Sequence, residues 1–336
     1  MVVGEVSTMS DTRTQAYDVV VVGGGAAGLS GALLLGRSRR SVLVIDAGEP
    51  RNAPAAGVHN FLSRDGTSPA ALLEVGRSEV RGYGGQVWQG RVSAAARDRD
   101  GFAVTLDDGR VVGARRLLVT TGLLDELPDV PGVRERWGRD VLHCPYCHGW
   151  EVRDQAIGIL GSGPMAVHQA LLFRQWTSDV TLFVHTAPEP TSAEREQLAA
   201  REVSVVEGEV TELAVADDRL TGVRLASGRV VPRQAVVVGP RFVARAAVLV
   251  SLGLEVTEHP LGVGSYVAAD ATGLTAVPGV WVAGNVADLT AQVIGAATAG
   301  AMAGAAINAD LIAEETRQAV SAYQGQRSAA SEQVAA

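Results

Sequence analysis

The first apolar pattern in the chain is an unbroken run, Asp18-Val19-Val20-Val21-Val22. Continuous β-branched character of this kind predicts a strand buried on both faces. It runs directly into Gly23-Gly24-Gly25-Ala26-Ala27-Gly28, after which Leu29 to Arg39 reads as a helix and Ser41 to Ile45 as a second strand closed by Asp46. The same alternation returns further on. Ala156 to Leu160 is an apolar run, Gly161-Ser162-Gly163-Pro164-Met165-Ala166 is a turn, a helix extends through about Trp176, and Val180 to Val184 is the next strand. A third short strand, Val280 to Ala283, ends in Gly284-Asn285, and an Ala/Gly-rich helix starts at about Gln292. Strands feeding glycine turns and then helices predict an α/β protein built from βαβ units.

The ends are different in character. Met1 to Ala16 is polar, lacks a long apolar core and shows no signal-peptide pattern, so residues 1–14 read as a loose leader. Gln318 to Ala336 reads as a polar Ala/Ser-rich tail, taken here as residues 316–336. Leu289 to Ala309 is uncharged and contains Gly300-Ala301-Met302-Ala303-Gly304, a spacing also used where membrane helices pair. Thr290, Gln292, Thr298 and Asn308 interrupt it, and it is built from Ala and Gly rather than Leu. It therefore predicts a buried helix and no membrane span.

Composition narrows the class. A length of 336 residues allows two domains with real cores. The 47% hydrophobic and 20% charged content is ordinary for a globular chain, and 39 glycines suit several tight strand-to-helix turns. A net charge of −8 argues against a nucleic-acid partner, because phosphate binding needs a basic face.

The first glycine turn carries a specific chemistry. In Gly-x-Gly-x-x-Gly, Gly23 permits the tight turn, Gly25 lets the backbone approach a pyrophosphate and Gly28 lets helix and strand pack closely. The N-terminus of the helix that follows then faces that charge. Asp46, 18 residues after Gly28, stands where an acid binds ribose hydroxyls. The second turn offers Gly161, Gly163 and Ala166 for a possible NAD(P) site, although a plain βαβ turn without a nucleotide fits it too. The strand after it leads into His185-Thr186-Ala187-Pro188-Glu189-Pro190, with no early arginine for a 2′-phosphate.

Between the two turns lie the chain's only cysteines, in Cys144-Pro145-Tyr146-Cys147-His148. A Cys-x-x-Cys pair can cycle between dithiol and disulfide, and the adjacent histidine is a proton carrier near neutral pH. A structural zinc site would need four ligands, and there is no second pair; no metal is expected. Two cysteines spaced for redox work, with none elsewhere, fit a reducing compartment and hence the cytoplasm. Cys144, Cys147 and His148 are the candidate catalytic residues, with His143 as a second, more positional histidine.

The order of nucleotide turn, Thr120-Thr121-Gly122, Cys-x-x-Cys, second turn and Ala-Gly-Asn strand end resembles the low-molecular-weight thioredoxin reductase flavoproteins over about residues 17 to 315. The Cys-Pro-Tyr-Cys-His-Gly version is most similar to the dithiol oxidases that close disulfides in natural products such as gliotoxin and holomycin. The resemblance implies two Rossmann-like, three-layer nucleotide-binding domains with the second inserted in the first. An FAD domain would span 15–128 plus 245–315, and an NAD(P)-binding-like domain carrying the cysteines would span 129–244. It also implies a homodimer, and FAD held by Gly23, Gly25, Ala26, Ala27, Gly28 and Asp46, with Thr121, Gly122, Gly284, Asn285, Gln292 and Val293 around the ribityl chain and flavin edge. Asn60 is placed near the flavin as well.

Departures from the reductase pattern redirect the reading. His148 replaces an aspartate, Asn285 replaces an aspartate, Ala291 replaces an arginine, and of a His-Arg-Arg cluster for the NADPH 2′-phosphate only His185 remains. Charge-assisted hydrogen bonds are about twice as strong as neutral ones, so their loss counts against NAD(P)H as the donor. The expectation is an FAD-dependent oxidase that takes electrons from a small-molecule dithiol and passes them to O2, releasing hydrogen peroxide. A substrate thiolate would attack Cys144, Cys147 would leave beside the flavin, and His148 would take the proton. The alternatives are a disulfide reductase using NADPH or NADH through residues such as Arg195, a ferredoxin-fed reductase, and a low-turnover flavin sensor. Arg51-Asn52-Ala53-Pro54 and His59 are candidate pocket residues, and Asp288 a candidate for proton transfer.

Overall fold

The computed structural model describes residues 15–99 and 101–335; the leader at 1–14 lies outside them. The first lobe is built on a seven-stranded sheet. Gln86–Gln89, Val42–Asp46, Ala16–Val22 and Val111–Val119 run parallel in that order. The long strand Val111–Val119 is shared on its other side: its first half pairs antiparallel with Gly101–Leu106, and Leu117 to Val119 pair in parallel with Val280–Val282. Alternate residues of the valine run serve two cores. Val20 and Val22 join Leu43, Ile45 and Leu117 on one face, while Val19 and Val21 join Val42, Val44 and Leu118 on the other. All four valines are at most 4% exposed, as expected of a strand covered on both sides.

Two helices cover the second face. Ala26–Arg37 begins three residues earlier than the apolar pattern predicts, directly after Gly25. Crossing it is the Ala/Gly-rich helix Val293–Ala335, 43 residues long. A Cβ on Gly300 would lie 1.9 Å from the Ala27 carbonyl oxygen, so the two helices meet backbone to backbone and no side chain fits between them. Ala303, Ile307 and Leu311 are fully buried in the same core as Leu29, Ala32 and Leu35. By length and composition alone Val293–Ser328 could cross a membrane; in the fold one face of its first half joins the core through Ala303, Ile307 and Leu311, while Ile294, Met302 and Ile312 are exposed.

The stretch expected to be a separate polar tail continues this helix. Alanine, glutamine, arginine and glutamate are strong helix formers, so an Ala-rich polar segment extends a helix it follows. Ion pairs bind the helix to the sheet where it leaves the core: Glu315 with Arg40 at 2.5 Å and Arg115 at 2.8 Å, Asp310 and Glu314 with Arg116 at 2.6 and 2.7 Å.

The second lobe has a five-stranded parallel sheet, Ser204–Val206, Val180–Phe183, Ile157–Leu160, Ala235–Val238 and Val141–Leu142 in that order. An antiparallel meander, Val210–Ala216, Arg219–Leu225 and Val230–Pro232, packs on one face. The chain enters this lobe along Leu123–Glu126 and leaves along Arg241–Ala244, and the two strands pair antiparallel, Leu123 opposite Ala244 and Glu126 opposite Arg241. The second Rossmann-like fold is thus inserted in the first through these two adjacent strands, which share a four-stranded sheet with Gly264–Tyr266 and Thr257–Glu258.

Candidate active site

A cavity of about 750 Å³ opens at the carboxyl ends of the first sheet's parallel strands. Ligands of open α/β sheets bind there. Gly23, Gly25, Ala26, Ala27 and Asp46 form one end, Thr121 and Gly122 a wall, and Gly284, Asn285, Gln292 and Val293 the far side. The disulfide, more than 100 residues along the chain from the first glycine turn, is brought into the same space: Cys144, Cys147 and His148 all line it.

The dinucleotide end fits its expected ligand by two observations. A Cβ on Gly25 would meet no protein atom within 4 Å, so its missing side chain is not demanded by the fold and leaves the backbone open to a pyrophosphate. Gly28, by contrast, sits beneath the turn and outside the lining, with its Cβ position 1.9 Å from the Gly23 oxygen. Asp46 Oδ1 accepts the Gly24 N–H at 3.2 Å, which holds the carboxylate at the cavity edge. Thr121 donates its hydroxyl to the Arg245 carbonyl at 2.6 Å.

The cysteines sit on one short helical turn, Pro145–His148, with Cys144 as its N-cap residue and the pair joined as a disulfide. Pro145 suits the first position of the turn, where its missing N–H is not needed. His148 follows, half-buried, with both ring nitrogens shielded from solvent and bonded to nothing. Burial pushes its pKa below the ordinary histidine value; Glu151 acts against that shift and His59 adds to it. An unpartnered buried imidazole at a cavity wall is a neutral base awaiting a proton donor. His143 differs. Its Nδ1 hydrogen-bonds the Val238 carbonyl at 3.0 Å and its ring meets the edge of Phe242 at 5.1 Å, which fixes the strand end just before Cys144.

Residues that sequence patterns left unranked complete the wall. The Arg51 guanidinium forks onto Asp125 at 2.8 and 2.6 Å, reaches Asn285 Oδ1 at 3.4 Å and lies 5.1 Å over the Phe242 ring. It therefore ties the first lobe to both connecting strands. Asn285 spends its amide on the Asp288 and Ala291 carbonyls, each at 2.9 Å. Asp288 is exposed, outside the lining, and accepts from the Thr290 N–H and hydroxyl, a turn-forming role. Asn60 is not among the residues that line the cavity. In a left-handed conformation, φ 61°, it donates from Nδ2 to the Tyr146 carbonyl at 2.6 Å, bracing the cysteine turn from outside the cavity. Its neighbour His59 lines the cavity.

The second glycine turn is not part of this cavity. The Thr186 and Ala187 N–H groups both donate to the Gly161 carbonyl, at 3.1 and 3.0 Å, folding the following loop back on the turn. Pro164 occupies the place that Ala26 holds in the first turn and has no N–H for a phosphate. The helix starts only at Ala166. His185 Nδ1 accepts the Val210 N–H at 3.1 Å, and Arg195 is held by Glu189 at 2.5 Å and Glu207 at 3.2 Å. His185 and Arg195 are thus already engaged, while His168, exposed on the helix that this turn opens, has no bonded partner among the described residues.

Comparison with known proteins agrees with this architecture. The family profile described as pyridine nucleotide-disulphide oxidoreductase matches residues 17–304. The thioredoxin reductase sirT of Leptosphaeria maculans is 31% identical over 310 residues, 87% of this chain and 93% of its own length. The crystal structure of HlmI superposes with a TM-score of 0.86 at 51% identity, covering 91% of this chain and 96% of that one. An oxidoreductase from Agrobacterium tumefaciens superposes at 0.83 with 37% identity, covering 89% of this chain and 99% of its own.

Proposed function

The chain belongs to the pyridine nucleotide-disulphide oxidoreductase family, and from that premise we propose that it is an FAD-dependent dithiol oxidase closing a disulfide in a small molecule. The observation that carries this reading is a redox disulfide and an unpartnered imidazole sharing one cavity with a dinucleotide turn, while the second turn lies outside that cavity and His185 and Arg195 are bonded to other groups.

Gly23, Gly25 and the first N–H groups of the Ala26–Arg37 helix would hold the FAD pyrophosphate, Asp46 the adenosine ribose, and Asn285, Gln292 and Val293 the flavin end. Bound FAD supplies a two-electron acceptor that oxygen can restore, with hydrogen peroxide as product. The protein's own chemistry precedes that. His148 takes the proton of an incoming thiol, the thiolate sulfur bonds to Cys144 Sγ, and the Cys144–Cys147 bond breaks with its electron pair left on Cys147. The second thiol of the substrate, its proton passing to the departing Cys144 sulfur, then closes the product disulfide and leaves both cysteines reduced. Pro54, His59 and Gly138 line the same cavity as the cysteines.

The test is the visible spectrum of the purified flavoprotein under anaerobic conditions. Bleaching by dithiothreitol with no response to NADPH or NADH supports the oxidase. Rapid bleaching by NADPH makes the protein a disulfide reductase and overturns the reading of the second turn.

A further inference from the structure

A buried imidazole that accepts a proton becomes a buried cation, which is unfavourable unless an opposite charge lies close. No hydrogen bond within the described residues supplies one to His148. Its own turn carries an acid three positions on, Glu151. That carboxylate is not left to swing freely: Oε1 lies 3.4 Å from Nε2 of His59, which comes from a different loop and lines the same cavity as His148. Asp65 grips His59 from the other side, Oδ1 to Nδ1 at 3.4 Å. Beside this contact the Asn60 amide bonds the Tyr146 carbonyl at 2.6 Å, so the two loops are joined at two points. The charged or titratable groups acting on His148 are Glu151, which favours its protonated form, and His59, which opposes it; the cysteines of its own turn are tied up as the disulfide.

The geometry points to Glu151 as a positioning residue, held in place by His59, whose carboxylate is the counter-charge that lets His148 carry the substrate's thiol proton. This rests on the dithiol-oxidase reading for its chemistry. The proton passes from substrate sulfur to the imidazole, the new sulfur–sulfur bond forms at Cys144, and Cys147 departs as a thiolate. Glu151 touches neither substrate nor cysteine. It acts on the basicity of the group that does.

The test is a charge series, Glu151→Asp, Glu151→Gln and Glu151→Arg, in the flavin-loaded protein. The His148 ring is titrated by NMR with labelled histidine, assigned by its absence in His148→Gln. In parallel, anaerobic bleaching by dithiothreitol is followed across pH. The His148 pKa is expected to stay near the parent value in the Asp variant and to fall by about half a unit, a threefold change in proton affinity, at each step to Gln and to Arg. The acid limb of the bleaching rate should move to lower pH in the same order. Raised salt should shrink the steps, because Glu151 is 41% exposed. An unmoved His148 titration across the series overturns the proposal. If dithiothreitol fails to bleach the parent protein at every pH, the oxidase reading falls instead, and the titration still decides the role of Glu151.

Discussion

Replacing His148 by alanine isolates the base from the rest of the machinery. Because neither ring nitrogen has a protein partner, the substitution strands no donor or acceptor, and the stability cost is confined to lost packing, about 1 kcal/mol. The dinucleotide end is untouched, so flavin content should match the parent. The kinetic loss is of another size. General-base help of this kind contributes about 10²–10⁴-fold, or roughly 3–5 kcal/mol of barrier at 1.36 kcal/mol per decade. The assay is stopped-flow bleaching of the flavin by dithiothreitol without oxygen, at fixed thiol concentration, across pH. In the parent the imidazole works only when neutral. Burial holds its pKa below the usual 6.5, so at pH 7 the base is already in its working form, and the rate falls as pH drops through that depressed value. In His148→Ala that limb should vanish, leaving a slower rate that rises with the thiolate fraction of the substrate. An alanine variant within tenfold of the parent, with the same acid limb, would refute the assignment of His148 as the base.

Other expectations are independent of that one. Asp46→Ala removes the carboxylate at the cavity edge, and with hydrogen bonds to a charged group worth about 1.5–3 kcal/mol, FAD affinity should fall about 10- to 100-fold in a fluorescence titration of the apoprotein. Gly300→Leu drives a side chain into the Ala27 carbonyl and should destabilise the first lobe by about 3 kcal/mol or more, read as a lowered melting temperature. Arg51→Ala leaves Asp125, 8% exposed, without its ion pair; the expected cost is about 2–3 kcal/mol in denaturant unfolding, largely recovered in the Arg51→Ala, Asp125→Asn double variant.

What could be read from the sequence was whatever the chain writes in consecutive positions. The valine run, the first glycine turn and Asp46 declare strand, turn and acid within one βαβ unit, and the cysteine turn declares its redox chemistry in five residues. Helix limits were less legible. Ala26 to Gly28 are helical although a glycine closes the motif, because the helix must start at the turn to face the cavity, and Pro164 delays the matching helix to Ala166. The polar C-terminal stretch hid its conformation because polarity reports exposure, whereas alanine content reports helix propensity. Arg51, His59 and Asn60 could be marked as candidates by position, but their partners were not legible. Arg51 meets Asp125 and Asn285, Asn60 meets Tyr146, and His59 joins Asp65 to Glu151, each pairing made by loops that come together only on folding. The division has a physical consequence. A dithiol–flavin pair can run electrons either way, and its direction depends on whether a second nucleotide turn can donate and on how basic the group beside the cysteines is. On the proposed reading, both would also depend on side chains outside the motifs: the acids that engage Arg195, and Glu151, whose charge favours protonated His148.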